Sequence, residues 1–424
     1  MNETIKQRVD AVRRGEVPEG YHVEFGYLIP DEWKTIPMNN RFTRSVRKNK
    51  SGCDNVLTIS AQMGLVNQRE FYDKDIASED KSGYFLLKNG EFAYNKSYST
   101  GYPFGAIKQL TKYNEGIVSP LYICFSPKSE TNTAFYTQYF EGGQYNREIY
   151  RIAQEGARNH GLLNIAVEDF FAGTLIDPPL AEQQKIAEIL STCDRVIELK
   201  QQLLDEKRKQ KQWLMQMLLD PDSGVRLPGF EEVSWVDILL GDECYMFSGG
   251  TPKAGKDEYY VDGTIPFIRS GEISDTSTEL FLTELGYENC SAKMVEVGDI
   301  LYALYGANSG DCSISKMNGA INQAILCIRP KTLNKELLYH VLCMLKEKIV
   351  STYLQGGQGN LSAEIIKKLV ITVPADSKYQ QAIVAKLAIS DKEIDLYEHE
   401  LAAWQKKKKA LMQLLLTGLV RVNA

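Results

Sequence analysis

No stretch of this 424-residue chain approaches the roughly 18 consecutive apolar residues of a membrane-spanning helix. The opening segment, MNETIKQRVDAVRRG, is polar and lacks the apolar centre of a secretory signal, so the expected setting is cytoplasmic, with no membrane partner. The eight cysteines include no Cys-x-x-Cys pair, and their spacing suits neither a zinc site nor a disulfide framework. They are expected to be reduced and mostly buried. The four histidines, His22, His160, His340 and His399, are too scattered for metal-ligand spacing. A positive charge excess is also missing, since the net charge is −6. Binding to a polyanion responds to local charge, however, so this total does not exclude nucleic acid. What remains is an ordinary globular composition, 43% apolar and 25% charged, in a chain long enough for two or more domains.

Catalytic signatures are lacking as well, although three segments imitate them. Asp177-Pro-Pro-Leu180 has the outline of an adenine methyltransferase loop, but leucine stands where an aromatic ring should stack on the flipped base. Asp31 and Glu32 are adjacent carboxylates rather than a nuclease metal pair gathered from separate strands. The segment 250–256 follows most of the phosphate-loop spacing. Asp257 replaces the magnesium-binding hydroxyl, and Pro252 removes one cradling N–H. No nucleophile–base pair stands out, so the chain is expected to be non-catalytic, with no cofactor of its own.

The dominant positive feature is a repeat. Residues 182–219 and 379–416 are the same amphipathic helix written twice, 197 residues apart, agreeing at about 15 of 38 positions. Gln183/Gln380, Gln184/Gln381, Ile186/Ile383, Leu190/Leu387, Asp194/Asp391 and Leu204/Leu401 coincide. Ile186, Leu190, Cys193, Ile197 and Leu204 form one seam at coiled-coil spacing. Ile383, Leu387, Ile394, Tyr397, Leu401 and Trp404 form the other. Either each helix packs on its own domain, or the two seams pair antiparallel; the second option buries both stripes along helices ~57 Å long.

Each half runs through the same parts. A Pro- and Trp-containing segment opens it, Ile29–Trp33 or Leu227–Trp235. Short β-type runs follow, at 55–60 and 121–126 in the first half and at 265–269 and 299–304 in the second. Then come a glycine-rich turn (155–159 or 355–360), a short strand (173–176 or 370–373) and a proline, Pro178 or Pro374, that stops the strand before the long helix. The expected domains are 1–177, including an N-terminal helix at 1–15, then a helical spacer 178–230, a second module 231–373 and a second spacer 374–424.

Three sets of residues carry a family resemblance. The module ends read Val118-Ser-Pro-Leu-Tyr-Ile-Cys-Phe-Ser-Pro127 and Ile321-Asn-Gln-Ala-Ile-Leu-Cys-Ile-Arg-Pro330. The helix openings read Pro178-Pro-Leu-Ala-Glu-Gln-Gln-Lys-Ile186 and, again, Pro374 to Ile383. The second helix ends in Thr417-Gly-Leu-Val-Arg421, echoed by Gly224-Val-Arg226. Over essentially its whole length the chain resembles the specificity subunits of type I restriction-modification systems. The twice-present Gln-Gln-x-Ile, with four or five residues between it and a preceding proline, is the specific part, and the second copy departs from Pro-Pro-Leu by reading Pro-Ala-Asp.

The resemblance implies an α/β fold. Two α+β target-recognition domains with twisted sheets would alternate with two long antiparallel coiled-coil helices in an internal two-fold duplication. Each domain would read one half of a bipartite, asymmetric site in double-stranded DNA. The helices would set the half-site gap and dock methyltransferase subunits, expected to number two, and restriction subunits. S-adenosylmethionine, ATP and magnesium would belong to those partners.

Candidate DNA contacts follow from side-chain chemistry. Arg41, Arg44, Arg47 and Lys48 lie in a segment with no acid and suit phosphates. The loop after the strand at 91–94 offers Asn95, Lys96, Ser97, Tyr98 and Tyr102, with Lys108 beyond. The second half offers Arg269, Ser270, Tyr302, Tyr305, Asn308, Ser309 and Gln323. Turn chemistry explains the Gly, Asn and Ser in these loops equally well. Leu214, Leu218, Leu411 and Leu415 fall outside the seams and are candidates for meeting partner helices. The competing reading is a coiled-coil scaffold carrying two modules that do not bind DNA.

Overall fold

The computed structural model describes residues 3–60, 63–72, 80–99, 101–153, 163–253, 255–354 and 360–422. The chain forms two compact units, and each expected helical spacer is divided between them. Unit 1 comprises Met1–Lys200 and Glu400–Ala424, and unit 2 comprises Gln201–His399. Each unit therefore holds part of both long helices, which run Leu180–Leu219 and Ser377–Leu415. The glycine-rich turns at 155–159 and 355–360 lie outside the described residues, apart from Asn360.

Unit 1 is built on strands β1 (Lys34–Pro37), β2 (Phe42–Arg44), β3 (Phe92–Asn95), β4 (Ala106–Gln109), β5 (Ile123–Pro127) and β6 (Thr174–Asp177). An antiparallel sheet has the order β2-β5-β3-β4. Alternation along its strands feeds two cores, as a period of two requires. Phe92, Tyr94, Ile123 and Phe125 face an aromatic core, while Ala93 and Cys124 face a second one with Leu57, Leu65, Leu87 and Val118. In the aromatic core Phe92 and Phe125 stack at 5.3 Å, and Phe42 meets both edge-on. The helix Thr133–Glu141, capped by Asn132, brings Phe135, Tyr136, Tyr139 and Phe140 into it. Ile186 and Leu190 of the first long helix join this core, as do Met412 and Leu415 of the second and Leu416 just after it.

Unit 2 repeats the plan with β7 (Trp235–Leu239), β8 (Cys244–Ser248), β9 (Ile300–Ala303), β10 (Cys312–Ile314), β11 (Ile325–Pro330) and β12 (Val370–Pro374). Its antiparallel sheet has the order β8-β11-β9-β10, strand for strand the order of unit 1. Ile300, Tyr302, Leu326 and Ile328 face the helix Lys335–Leu354, and Leu301, Ala303, Ile325 and Cys327 face the other way. Burial on both faces explains why 300–304 reads as an unbroken apolar run.

In both units the strand that opens the module pairs with the strand that closes it. β1 pairs with β6, and β7 with β12, both antiparallel. Each module thus leaves and rejoins the chain at one place. The paired glutamines of the helix openings have a physical task there. Gln183 Nε2 donates to the Pro178 carbonyl and Gln380 Nε2 to the Pro374 carbonyl, each at 2.8 Å. Both carbonyls lie where the chain turns from strand to helix, and both glutamines are buried.

The two readings of the helix seams combine. Ile186, Leu190, Ile383 and Leu387 pack on their own modules, while ion pairs link the two long helices with partners running in opposite directions. In unit 1 these are Asp194–Lys408 and Lys200–Glu400. In unit 2 they are Lys207–Glu393, Arg208–Glu398 and Lys211–Asp391. Asp194–Lys408 and Asp391–Lys211 are one pair made twice, since Asp194 aligns with Asp391 and Lys211 with Lys408 in the repeat. Each aspartate is also approached from its module's helix, by Gln138 Nε2 at 2.7 Å or His340 Nε2 at 3.9 Å. All eight cysteines are free; four are buried, and Cys53, Cys290, Cys312 and Cys343 are half-buried.

Candidate nucleic-acid interface

The strand registers bring the expected reading loops to one end of each four-stranded sheet. In unit 1 the end of β2 (Arg44), the loop after β3 (Asn95, Lys96) and the turn before β5 meet there. Arg44 and Lys96 line one shallow groove with Ser45, Leu121, Tyr122 and Val167. Arg44 is exposed, and neither cation has an ion-pair partner among the described residues. Asn95 Oδ1 accepts from the Ser97 N–H at 3.1 Å, which shapes the loop, and Tyr98 beyond it is exposed.

The same end of unit 2 gathers the end of β8, the loop after β9 and the turn before β11. The Gly249 N–H donates to the Asn322 carbonyl at 3.2 Å, and the Leu304 N–H to the Ala324 carbonyl at 2.8 Å. A Cβ at Gly249 would sit 1.7 Å from the Ile321 carbonyl oxygen, so only glycine allows this approach. The Thr251 hydroxyl donates to Gln323 Oε1 at 2.7 Å, leaving the exposed Gln323 with its amide N–H groups free to point outward. Asn308 is half-buried beside Gly271, which brings the 269–271 loop to the loop after β9.

The turns before β5 and β11 are built alike. In unit 1 the Tyr122 N–H donates to the Ser119 carbonyl at 3.1 Å, and Ser119 Oγ accepts from the Leu121 N–H at 3.3 Å. In unit 2 the Ile325 N–H donates to the Asn322 carbonyl at 3.3 Å, and Asn322 Oδ1 accepts from the Ala324 N–H at 3.0 Å. The backbone device is shared, but the central residues are Pro120 and Leu121 in one and Gln323 and Ala324 in the other.

Several expected contacts are corrected by this geometry. Arg41 grips the buried Asp177 with two hydrogen bonds of 2.8 and 3.0 Å from Nη2, where Tyr136 and Gln183 also donate. That clamp closes β1–β6 onto the helix start and accounts for the Asp-Pro-Pro segment structurally. Arg47 pairs with Glu91. Burial would raise the Glu91 carboxyl, but Arg47, the Lys88 N–H and the Ser126 hydroxyl outweigh it and hold it below its ordinary value. Tyr102 and the buried Lys108 both bind Glu141. Arg269 binds Glu272 and Glu279 at 2.6 and 2.7 Å. Its guanidinium does most to hold Glu272 down to about 2, against the effect of burial. Tyr302 is fully buried in the helix-side core, and Ser309 is buried with its hydroxyl turned to the Leu304 and Gly306 carbonyls. Each of these groups is committed to the fold.

The remaining candidates keep polar surface. Lys48 is exposed, with Nζ on the Gly83 carbonyl and over the Phe85 ring. Ser270 and Tyr305 are half-buried. Leu121 and Thr251 also lie at these sheet ends; an isolated leucine carries no polar signal in the sequence, and the segment of Thr251 imitates a phosphate loop. The partner-helix candidates are corrected too. Leu218 and Leu415 are each 2% exposed, in the cores of units 2 and 1, and Leu214 and Leu411 pack against those cores. Among the described residues no cluster could hold a metal ion, and no helix is long and apolar enough to cross a membrane.

Comparison with known proteins converges on one family. The model of the type I restriction modification DNA specificity domain matches twice, at residues 36–206 and 232–403. A Methanocaldococcus jannaschii protein assigned as the specificity subunit of the type I restriction enzyme MjaX is 26% identical over 436 residues, covering 96% of each chain. A chain from a structural study of assembly and conformational transition of the type I restriction-modification system aligns with a TM-score of 0.56. It is 17% identical and covers 92% of this chain and 99% of its own. The crystal structure of a type I specificity subunit from M. genitalium aligns at 0.52, 15% identical, over 93% of this chain and 97% of its own.

Proposed function

Because the chain belongs to the type I restriction-modification DNA specificity family, with two tandem target-recognition domains, we propose that each unit reads one half of a bipartite, asymmetric DNA target. The observation that carries this reading is the pair of equivalent sheet ends. Both are framed by the same strand order and the same hydrogen-bonded turn, yet unit 1 presents Arg44, Lys96 and Leu121 where unit 2 presents Thr251, Asn308 and Gln323. One scaffold with two sets of side chains suits a target whose halves differ. Unpaired cations serve phosphates and guanine edges, while the carboxamides of Asn308 and Gln323, the latter already accepting from Thr251, carry the donor–acceptor pair that adenine matches.

The subunit reads and its partners react. Its polar clusters at Asp177, Glu91 and Glu272 are closed by arginines. Methyl transfer and cleavage, with S-adenosylmethionine, ATP and magnesium, therefore fall to methyltransferase and restriction subunits docked on the long helices. In unit 2 those helices leave Leu203, Trp213, Ile389 and Leu396 exposed, a better docking surface than the buried Leu218 and Leu415.

Selection from a random duplex library, with the chain assembled with its methyltransferase subunits, tests the proposal. Two different short blocks at a fixed spacing are expected. An intact complex without sequence preference would return the chain to the scaffold reading.

A further inference from the structure

Leu121 is the least expected side chain at the sheet end of unit 1. A single exposed leucine is ordinary on a protein surface. This one is 60% exposed in the groove it shares with Arg44 and Lys96, two cations without ion-pair partners among the described residues. It is also held rigidly. Pro120 fixes the second position of the turn, and Ser119 closes it with two hydrogen bonds, so little conformational freedom is left to lose on contact. The turn starts β5, an inner strand of the sheet, whose pairing with β2 and β3 brings both cationic loops beside it.

An apolar group aimed outward between two cations matches one feature of a duplex. The cations suit the phosphates and guanine edges. The 5-methyl of thymine is the apolar group that base pairs display in the major groove. The corresponding turn of unit 2 carries Gln323 and Ala324 and has no such projection. We propose that Leu121 is a specificity-determining residue that packs on the 5-methyl of a thymine, so that the half-site read by unit 1 requires thymine at one position. This inference rests on the DNA-reading function proposed above and deepens it.

The test uses the assembled complex and the target recovered by selection. The half-site of unit 1 is the one retained when residues 231–373 are exchanged for another module. Each of its thymines is then replaced singly by deoxyuridine, which removes only the methyl group. At one position the replacement is expected to weaken binding by about fourfold, the worth of one buried methyl. Leu121→Ser, a surface change, should lose that sensitivity while keeping the same response to salt and the same second half-site. A half-site without thymine, tolerance of deoxyuridine throughout, or equal sensitivity in Leu121→Ser would overturn the assignment and leave DNA reading intact. A library with no enriched block would overturn both.

Discussion

Arg44 ends a strand in the open, whereas Arg41 and Arg47, three residues away on either side, are held by Asp177 and Glu91. Under the proposed function, that difference decides which charge is available to DNA. Arg44→Ala should weaken binding about uniformly across sequences and flatten the dependence of log K on log salt by roughly one unit. An unchanged slope would remove Arg44 from the interface. Arg269 is a cation of the other kind, and its partner gives a pH signature. Glu272 is held down to about 2 in the folded protein, below its ordinary value of 4.5. A depressed carboxyl stabilises the fold above its unfolded pKa, and that contribution disappears as pH falls from about 4.5 towards 2. In unfolding titrations Glu272→Gln should therefore flatten the loss of stability across that acid range. A slope equal to the wild type's would show that Glu272 ionises alike in both states.

At the scale of elements, the repeated helix carries its own registration device. Asp194–Lys408 and Asp391–Lys211 occupy matching places, each beside a polar residue from the module helix. Lys211 is largely buried, so replacing it with aspartate would set two like charges together. Lys211→Asp and Asp391→Lys should each destabilise the protein. Their combination should recover about 1 kcal/mol relative to the sum of the single effects. Strictly additive losses in denaturant unfolding would refute the pairing. Much of this level was legible in advance. The repeat located both helices to within two residues at their starts, because fifteen identities at helical spacing outweigh local noise. The strand runs at 55–60, 121–126, 265–269 and 299–304 correspond to observed strands as well. What the periodicity did not reveal is that the two apolar faces of the sheet feed different cores, since a run buried on both faces has no alternation to read.

For the whole molecule, the pairing of β1 with β6 and of β7 with β12 makes each module an insertion with its two ends side by side. Replacing residues 231–373 with another module of the same plan should change one half of the selected target and preserve the other. A change in both halves would end the modular reading. The sequence by itself determined the duplication, the two long helices, the mixed α/β class and the family, because each rests on patterns local in the chain or repeated at a fixed offset. It also singled out loops that the fold gathers at one end of each sheet, since turns rich in Gly, Asn and Ser are where strands end. Only the tertiary structure decided which side chains in those loops remain available. Arg41, Arg47, Lys108 and Tyr102 find acidic partners 33 to 136 residues away, and Leu218 and Leu415 find cores. A charge or an apolar group is free only when the fold supplies no partner for it, and partners that distant in sequence leave no local pattern to read.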